Sequence, residues 1–287
     1  MLDSLLKILK NSASPEACGW LDETLAAQRE KFEQRPFYYA FSGVSRHFDK
    51  KALIEVSEDE LKALDLEKPG FTVSNWDEFR LARVILLLVL GEQEAPVFLE
   101  NVNALLNTAD IREQVAIFSA LPLLPEADEL VPMAQDGLRS NITEIYDSIA
   151  LDNPFPSEHF SNDAWNQMVL KSFFINRPLY RFYGVDYRAN LVLAEALSNF
   201  AHERWAAGRW VSPELWRSCA NFVSNPQIAE DLEQVAGTDE AGQLEAVALI
   251  VAKDESGALD HLRDVTKTFL DDVADGRLTW RTLGEQI

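Results

Sequence analysis

Positive charge is scarce in this chain: 26 lysines and arginines stand against 47 aspartates and glutamates, for a formal charge of -21 over 287 residues. General binding to nucleic acid or to an anionic membrane needs clustered cations, so this balance argues against both. Only two cysteines occur, Cys18 and Cys219, which excludes a disulfide scaffold and a multi-cysteine zinc site. The 12 glycines are scattered, so no phosphate-cradling loop is present. There is no Gly-x-Ser-x-Gly elbow. The four histidines, His47, His159, His202 and His261, are far apart and form no His-x-x-x-His pair. No metal and no cofactor are therefore expected. Long apolar runs are also missing. The most apolar stretch is Val84 to Leu90, far short of the about 20 residues a spanning helix needs.

The first residues, MLDSLLKILK, lack the basic start and unbroken apolar core of a secretory signal, so the expected compartment is the cytoplasm. Leu2, Leu5, Leu6 and Leu9 recur at helical spacing instead. They predict a short amphipathic helix, packed on the next helix or docked on a membrane surface. Strand signals are rare. Trp76, Phe79, Arg80, Arg83, Val84 and Leu87 fit one helix, and Val97, Phe98, Val102, Leu105 and Leu106 the next. Pro122, Pro125, Pro132, Pro154, Pro156, Pro178, Pro213 and Pro226 are expected at helix ends, where a missing N–H costs least.

An internal repeat underlies this pattern. Arg139-Ser140-Asn141-Ile142 matches Arg188-Ala189-Asn190-Leu191, and Gln114-Val115-Ala116-Ile117 matches Gln167-Met168-Val169-Leu170. Gly184-Val185-Asp186 matches Gly237-Thr238-Asp239. The spacing predicts an all-α fold of stacked antiparallel helix pairs, a HEAT/armadillo-like α-α solenoid. We read residues 1–287 as one helical domain, with a cap over 1–70, core repeats over 75–217 and an acidic helical repeat over 225–287. Asp136, Asp186 and Asp239 are expected to cap the second helices.

Charge is unevenly spread. Residues 160–220 hold 7 basic and 5 acidic residues, and 12 of the 29 aromatic ones. Such an island suits an anionic or aromatic ligand, or a partner's hot spot; aromatic core filling covered by arginine stems is the structural alternative. On a helix starting at Asp186, the residues Arg188, Glu195, Asn199, His202 and Arg209 share a polar ridge. The ridge reads as a donor site or as a solvated face. Asn141 and Asn190 are expected on the packed side, bonded to neighbouring backbone. Gln167 and Lys171 share a face near Trp165 and Asn166. Cys219 and His202 lie in one repeat as a conceivable nucleophile pair, although a lone helical cysteine usually fills core.

Several of these stretches resemble one family. They are Asn153-Pro154-Phe155-Pro156, Trp165-Asn166-Gln167-Met168-Val169-Leu170-Lys171, Ala201-His202-Glu203-Arg204-Trp205-Ala206-Ala207-Gly208-Arg209 and Ser212-Pro213-Glu214-Leu215-Trp216, with Thr108-Ala109-Asp110 and Arg139-Ser140-Asn141. Together they resemble the EboA family over roughly residues 75–217, most specifically in the His202–Arg209 block. The first 70 residues and the acidic C-terminal part are not diagnostic. The resemblance implies a place in a secondary-metabolite gene cluster of cyanobacteria, other bacteria and some algae. That cluster has a proposed role in moving precursors out of the cytoplasm. Its other members look like a prenyltransferase, a metal-dependent hydrolase, a sugar-phosphate-isomerase-like protein and a dehydroquinate-synthase-like protein. The family brings no assigned reaction and no catalytic residues.

The expected function is a non-catalytic accessory protein that binds another protein of the cluster, or an anionic or aromatic metabolite, in a helical groove. Candidate contacts are Arg139, Asn141, Trp165, Asn166, Lys171, Arg188, Asn190, His202, Glu203, Arg204, Trp205, Arg209 and Trp216. One alternative is an enzyme using His202 with Glu195 or Glu203 as acid and base; another is a pure scaffold.

Overall fold

The computed structural model describes residues 1–287 and contains sixteen α-helices, five short 3-10 helices and no strand. One isolated β-bridge joins Leu53 to Asp77. The fold is all-α, as the spacing predicts. The chain divides into two compact units, Met1–Phe160 and Ser161–Ile287. The division falls within the stretch read above as continuous core repeats.

The first unit holds α1 (Leu2–Ser12), α2 (Pro15–Glu30), α3 (Gln34–Gly43), α4 (Glu58–Glu67) and α5 (Glu78–Leu90). It continues with α6 (Ala95–Thr108), α7 (Ile111–Ala120), α8 (Ala127–Leu138), α9 (Thr143–Ala150) and α10 (Phe155–His159). Helix α5 is apolar around nearly its whole circumference, so it must lie inside. It packs against α7, α1 and α2. Leu5, Ile8 and Leu9 bury the apolar face of α1, chiefly against α5 rather than against its chain neighbour α2. Side-chain caps set several helix starts: Ser14 for α2, Ser57 for α4, Asp77 for α5 and Asp110 for α7. Arg83 is buried on α5. Its guanidinium lies over the Phe79 ring at 3.7 Å, donates to the Phe41 carbonyl at 3.1 Å and meets Glu113 at 3.4 Å.

The second unit holds α11 (Asn162–Phe174), α12 (Leu191–Ala206), α13 (Pro226–Ala236), α14 (Gln243–Val251), α15 (Arg263–Ala274) and α16 (Trp280–Gly284). Two 3-10 segments matter here, Leu179–Arg181 and the ten-residue Pro213–Phe222. Helix α14, with the sequence QLEAVALIV, is the centre of this unit and packs on α15, α13, α16 and the longer 3-10 segment. Helix α12 packs on that segment, on α13 and on α11. The pairs α7–α9, α11–α12 and α13–α14 are each in contact, which is compatible with the helix pairs that the repeat implies.

Several local expectations need correction. Asp136 sits in the last turn of α8 and pairs with Arg139 instead of capping α9. Helix α12 starts at Leu191, not near Asp186, because the Asn190 side chain accepts the Leu193 N–H at 3.0 Å and caps it there. Asp186 instead holds Arg217. Helix α14 starts after Gly242, leaving Asp239 in the preceding loop. Pro132 lies inside α8, not at its end. Trp76 precedes α5 and is buried, with the Arg80 guanidinium 4.1 Å from its ring.

Candidate functional site

The second unit holds a cleft of about 350 Å³, within the size range of small-molecule sites. Its apolar wall comes from Phe173 on α11, Phe200 on α12 and Trp210 in the following loop. Arg177, Arg204 and Glu214 supply its charged groups. Gly284 and Ile287 also line it.

Helix endings place the two arginines. Helix α11 stops where Asn176 turns left-handed at φ 52, and the Arg177 N–H bonds back to the Ser172 carbonyl at 2.8 Å. That reversal sends Arg177 and Pro178 along the cleft. Helix α12 stops the same way: Gly208 has φ +64, and the N–H groups of Gly208 and Arg209 return to the carbonyls of Trp205 and Arg204, each at 2.9 Å. Glycine takes that conformation without strain. The reversed chain brings the Trp210 carbonyl onto the Arg204 guanidinium, which donates twice to it, at 2.9 and 2.7 Å. A guanidinium has five N–H donors, so others remain for a ligand.

Glu214 is the unusual group. It is 3% exposed. Its two oxygens accept the backbone N–H groups of Leu179 (3.0 Å) and Tyr180, which begin the short 3-10 segment and have no partner within it. Burial pushes its carboxyl from the ordinary 4.5 up to about 7, against those two N–H bonds and the Arg217 charge, which favour the ionised form. Gly284 packs directly on it. A methyl there would overlap the Tyr180 ring and lie 2.8 Å from Glu214 Oε1.

Of the residues singled out from sequence, Arg204 lines this cleft and the others lie elsewhere. Trp165 and Trp216 are fully buried and belong to the core. Trp216 donates to Gln243 at 3.0 Å and stacks on Trp205, with ring centroids 5.8 Å apart. Asn166 and Asn190 form a reciprocal amide pair, at 3.1 and 2.8 Å, that locks α11 to the start of α12. Arg188 lies 5.2 Å from the Trp165 ring and donates to Asn162, so it is not on a ridge of α12. Arg209 and Glu203 are exposed. Lys171 is half-buried, and burial lowers its pKa. Arg139 and Asn141 belong to the first unit, and both are exposed, so Asn141 is not on a packed side.

The polar ridge of α12 exists, but α13 faces it. Asn225 donates to Glu195 at 3.2 Å, and Gln227 donates to Asn199 at 3.1 Å. Buried Asp231 accepts the Ser198 hydroxyl and meets His202 Nε2, each at 2.5 Å. His202 is therefore the outer end of an interhelical seam, and it does not line the cleft. Cys219 is fully buried, its thiol pushed up by burial and by the charge of Asp231, so it is core.

A family model described as "Metabolite traffic protein EboA" matches residues 1–220. The chain belongs to the EboA family. The match takes in the first 70 residues, which had no diagnostic motif, and ends within the longer 3-10 segment. The EboA match thus contains Phe173, Arg177, Phe200, Arg204, Trp210 and Glu214, whereas Gly284 and Ile287 lie beyond it. No curated protein sequence and no solved structure matches the chain. No helix is long and apolar enough to cross a membrane.

Sequence reasoning missed Arg177 and Glu214 as site residues. The sequence around Glu214 pointed the other way: Ser212-Pro213-Glu214 opens a helical segment, where an acid is ordinarily solvent-exposed. Its burial depends on partners 35 positions away.

Proposed function

We propose that this EboA-family chain is a non-catalytic carrier that holds a small metabolite with an anionic group and a flat apolar body in the cleft. The supporting observation is the composition of that cleft, whose lining combines two arginines with three aromatic residues. Guanidinium offers forked donors to a carboxylate or phosphate, and aromatic walls take up a planar ring at low entropic cost. In this reading the protein works in the cytoplasm and passes its cargo among the other proteins of the gene cluster, in support of precursor export. Within the second unit, the contacting pairs α11–α12 and α13–α14 are read as successive solenoid repeats, with cleft residues on α11 and α12.

Calorimetric titration with phenylpropionate and naphthoate, and with their neutral alcohol counterparts, tests this proposal. The acids should bind more tightly than the alcohols by about tenfold, the value of one charge-assisted pair. Arg177→Ala with Arg204→Ala should remove that preference. Arg188→Ala with Arg209→Ala should leave it intact. Equal binding of acids and alcohols, or loss of the preference in the Arg188, Arg209 pair alone, refutes the assignment.

A further inference from the structure

Resting on that reading, the unfilled capacity of Glu214 narrows the cargo. A carboxylate has about four acceptor positions. Two are taken by the N–H groups of Leu179 and Tyr180, and Glu214 makes no ion pair. Its side chain is almost fully buried, and the residue forms part of the cleft lining. Each oxygen has one backbone donor, and each keeps acceptor capacity beyond it for a donor presented from the cleft. The nearby cation that acts on its charge is Arg217, which is itself committed to Asp186 at 2.8 Å. The cleft therefore presents donors on one part of its wall, from Arg204, and a partly satisfied acceptor on another.

We infer that the cargo carries a hydrogen-bond donor that docks on Glu214, separate from the anionic group that meets the arginines. The chemical class is a hydroxyl- or amino-bearing aryl carboxylate. A simple aryl acid satisfies only half of this site, and an aliphatic acid leaves the walls formed by Phe173, Phe200 and Trp210 uncovered. Sites built around a hydrogen bond to a ligand reject analogues that lack it far more strongly than apolar pockets reject a missing methylene.

The test compares phenylpropionate with its para-hydroxy and para-amino analogues on the full-length chain. At about pH 8, where Glu214 is ionised, each donor-bearing probe should bind about tenfold more tightly than the parent acid, as expected for a hydrogen bond to a charged acceptor. At about pH 5.5 that advantage should shrink, since the acceptor is then neutral. Glu214→Gln keeps the shape and should abolish the pH dependence of the advantage. The wild-type comparison at two pH values stands by itself if the variant does not fold. If the three probes bind alike at the higher pH, the inference is overturned while the anion-and-ring reading survives. If none of them binds, both fail.

Discussion

Glu214→Gln isolates the cost of keeping a carboxylate inside the second unit. The folded chain holds this proton up to about pH 7, whereas an ordinary glutamate releases it near 4.5. The sign follows from proton uptake. Between those two values the folded state binds more protons than the unfolded one, so stability is full below the lower value and falls as pH rises through the upper one. The difference corresponds to roughly 3 kcal/mol, at about 1.4 kcal/mol per pH unit. Glutamine pays no such cost because it is never charged. It does lose part of the bond to Leu179 or Tyr180, about 1 kcal/mol. The variant should therefore be more stable than wild type by about 2 kcal/mol near pH 8, and less stable by about 1 kcal/mol near pH 4. Urea denaturation followed by tryptophan fluorescence at four pH values across that range measures both. Wild-type and variant curves that run parallel would refute the claim that burial holds this proton.

Three further outcomes follow from the packing. Asp231→Ala removes the acceptor of the buried Ser198 hydroxyl and the partner of His202, and should lower the unfolding free energy by about 1–3 kcal/mol, the usual penalty for an orphaned buried polar group; a change below about 0.5 kcal/mol in calorimetry contradicts the seam. Gly284→Ala forces a methyl onto Tyr180 and Glu214 and should cost about 1–3 kcal/mol and weaken aryl-acid binding together, with intact affinity counting against the placement of α16. Cys219 should resist iodoacetamide in the native protein and react only on unfolding, because its thiol is buried and held protonated; peptide mapping that shows native labelling contradicts its position.

Much of the fold was legible because its signals are local. The apolar periodicity of Leu2 to Leu9 and of Trp76 to Leu87 located α1 and α5, although α5 begins only after Trp76. Helix starts were less legible where caps competed. Asp186 and Asn190 are both good cap residues, and the choice fell to Asn190 because Asn166, on another helix, completes its amide bonds. Of the five ridge residues read from a helical wheel, Glu195, Asn199 and His202 do share one face, whereas Arg188 and Arg209 lie outside α12. The wheel carries no information about what that face meets, and the answer is α13. The cleft was least legible of all. Arg177 reaches it through the left-handed turn at Asn176, and Glu214 becomes unusual only through backbone donors remote in sequence.

Helix α12 serves two faces at once. Glu195, Asn199 and His202 lock into α13, while Phe200 and Arg204 form the cleft. Adding or removing one residue anywhere between Asn190 and Gly208 rotates everything beyond it by about 100° and slides it by about 1.5 Å. A change placed before Phe200 moves both cleft residues and at least His202 of the seam together. The length of this helix is therefore under a double constraint that its surface composition escapes. Change in this part of the protein should come by replacing side chains, and differences in chain length should collect in segments such as Gly237–Gly242, where no register is at stake.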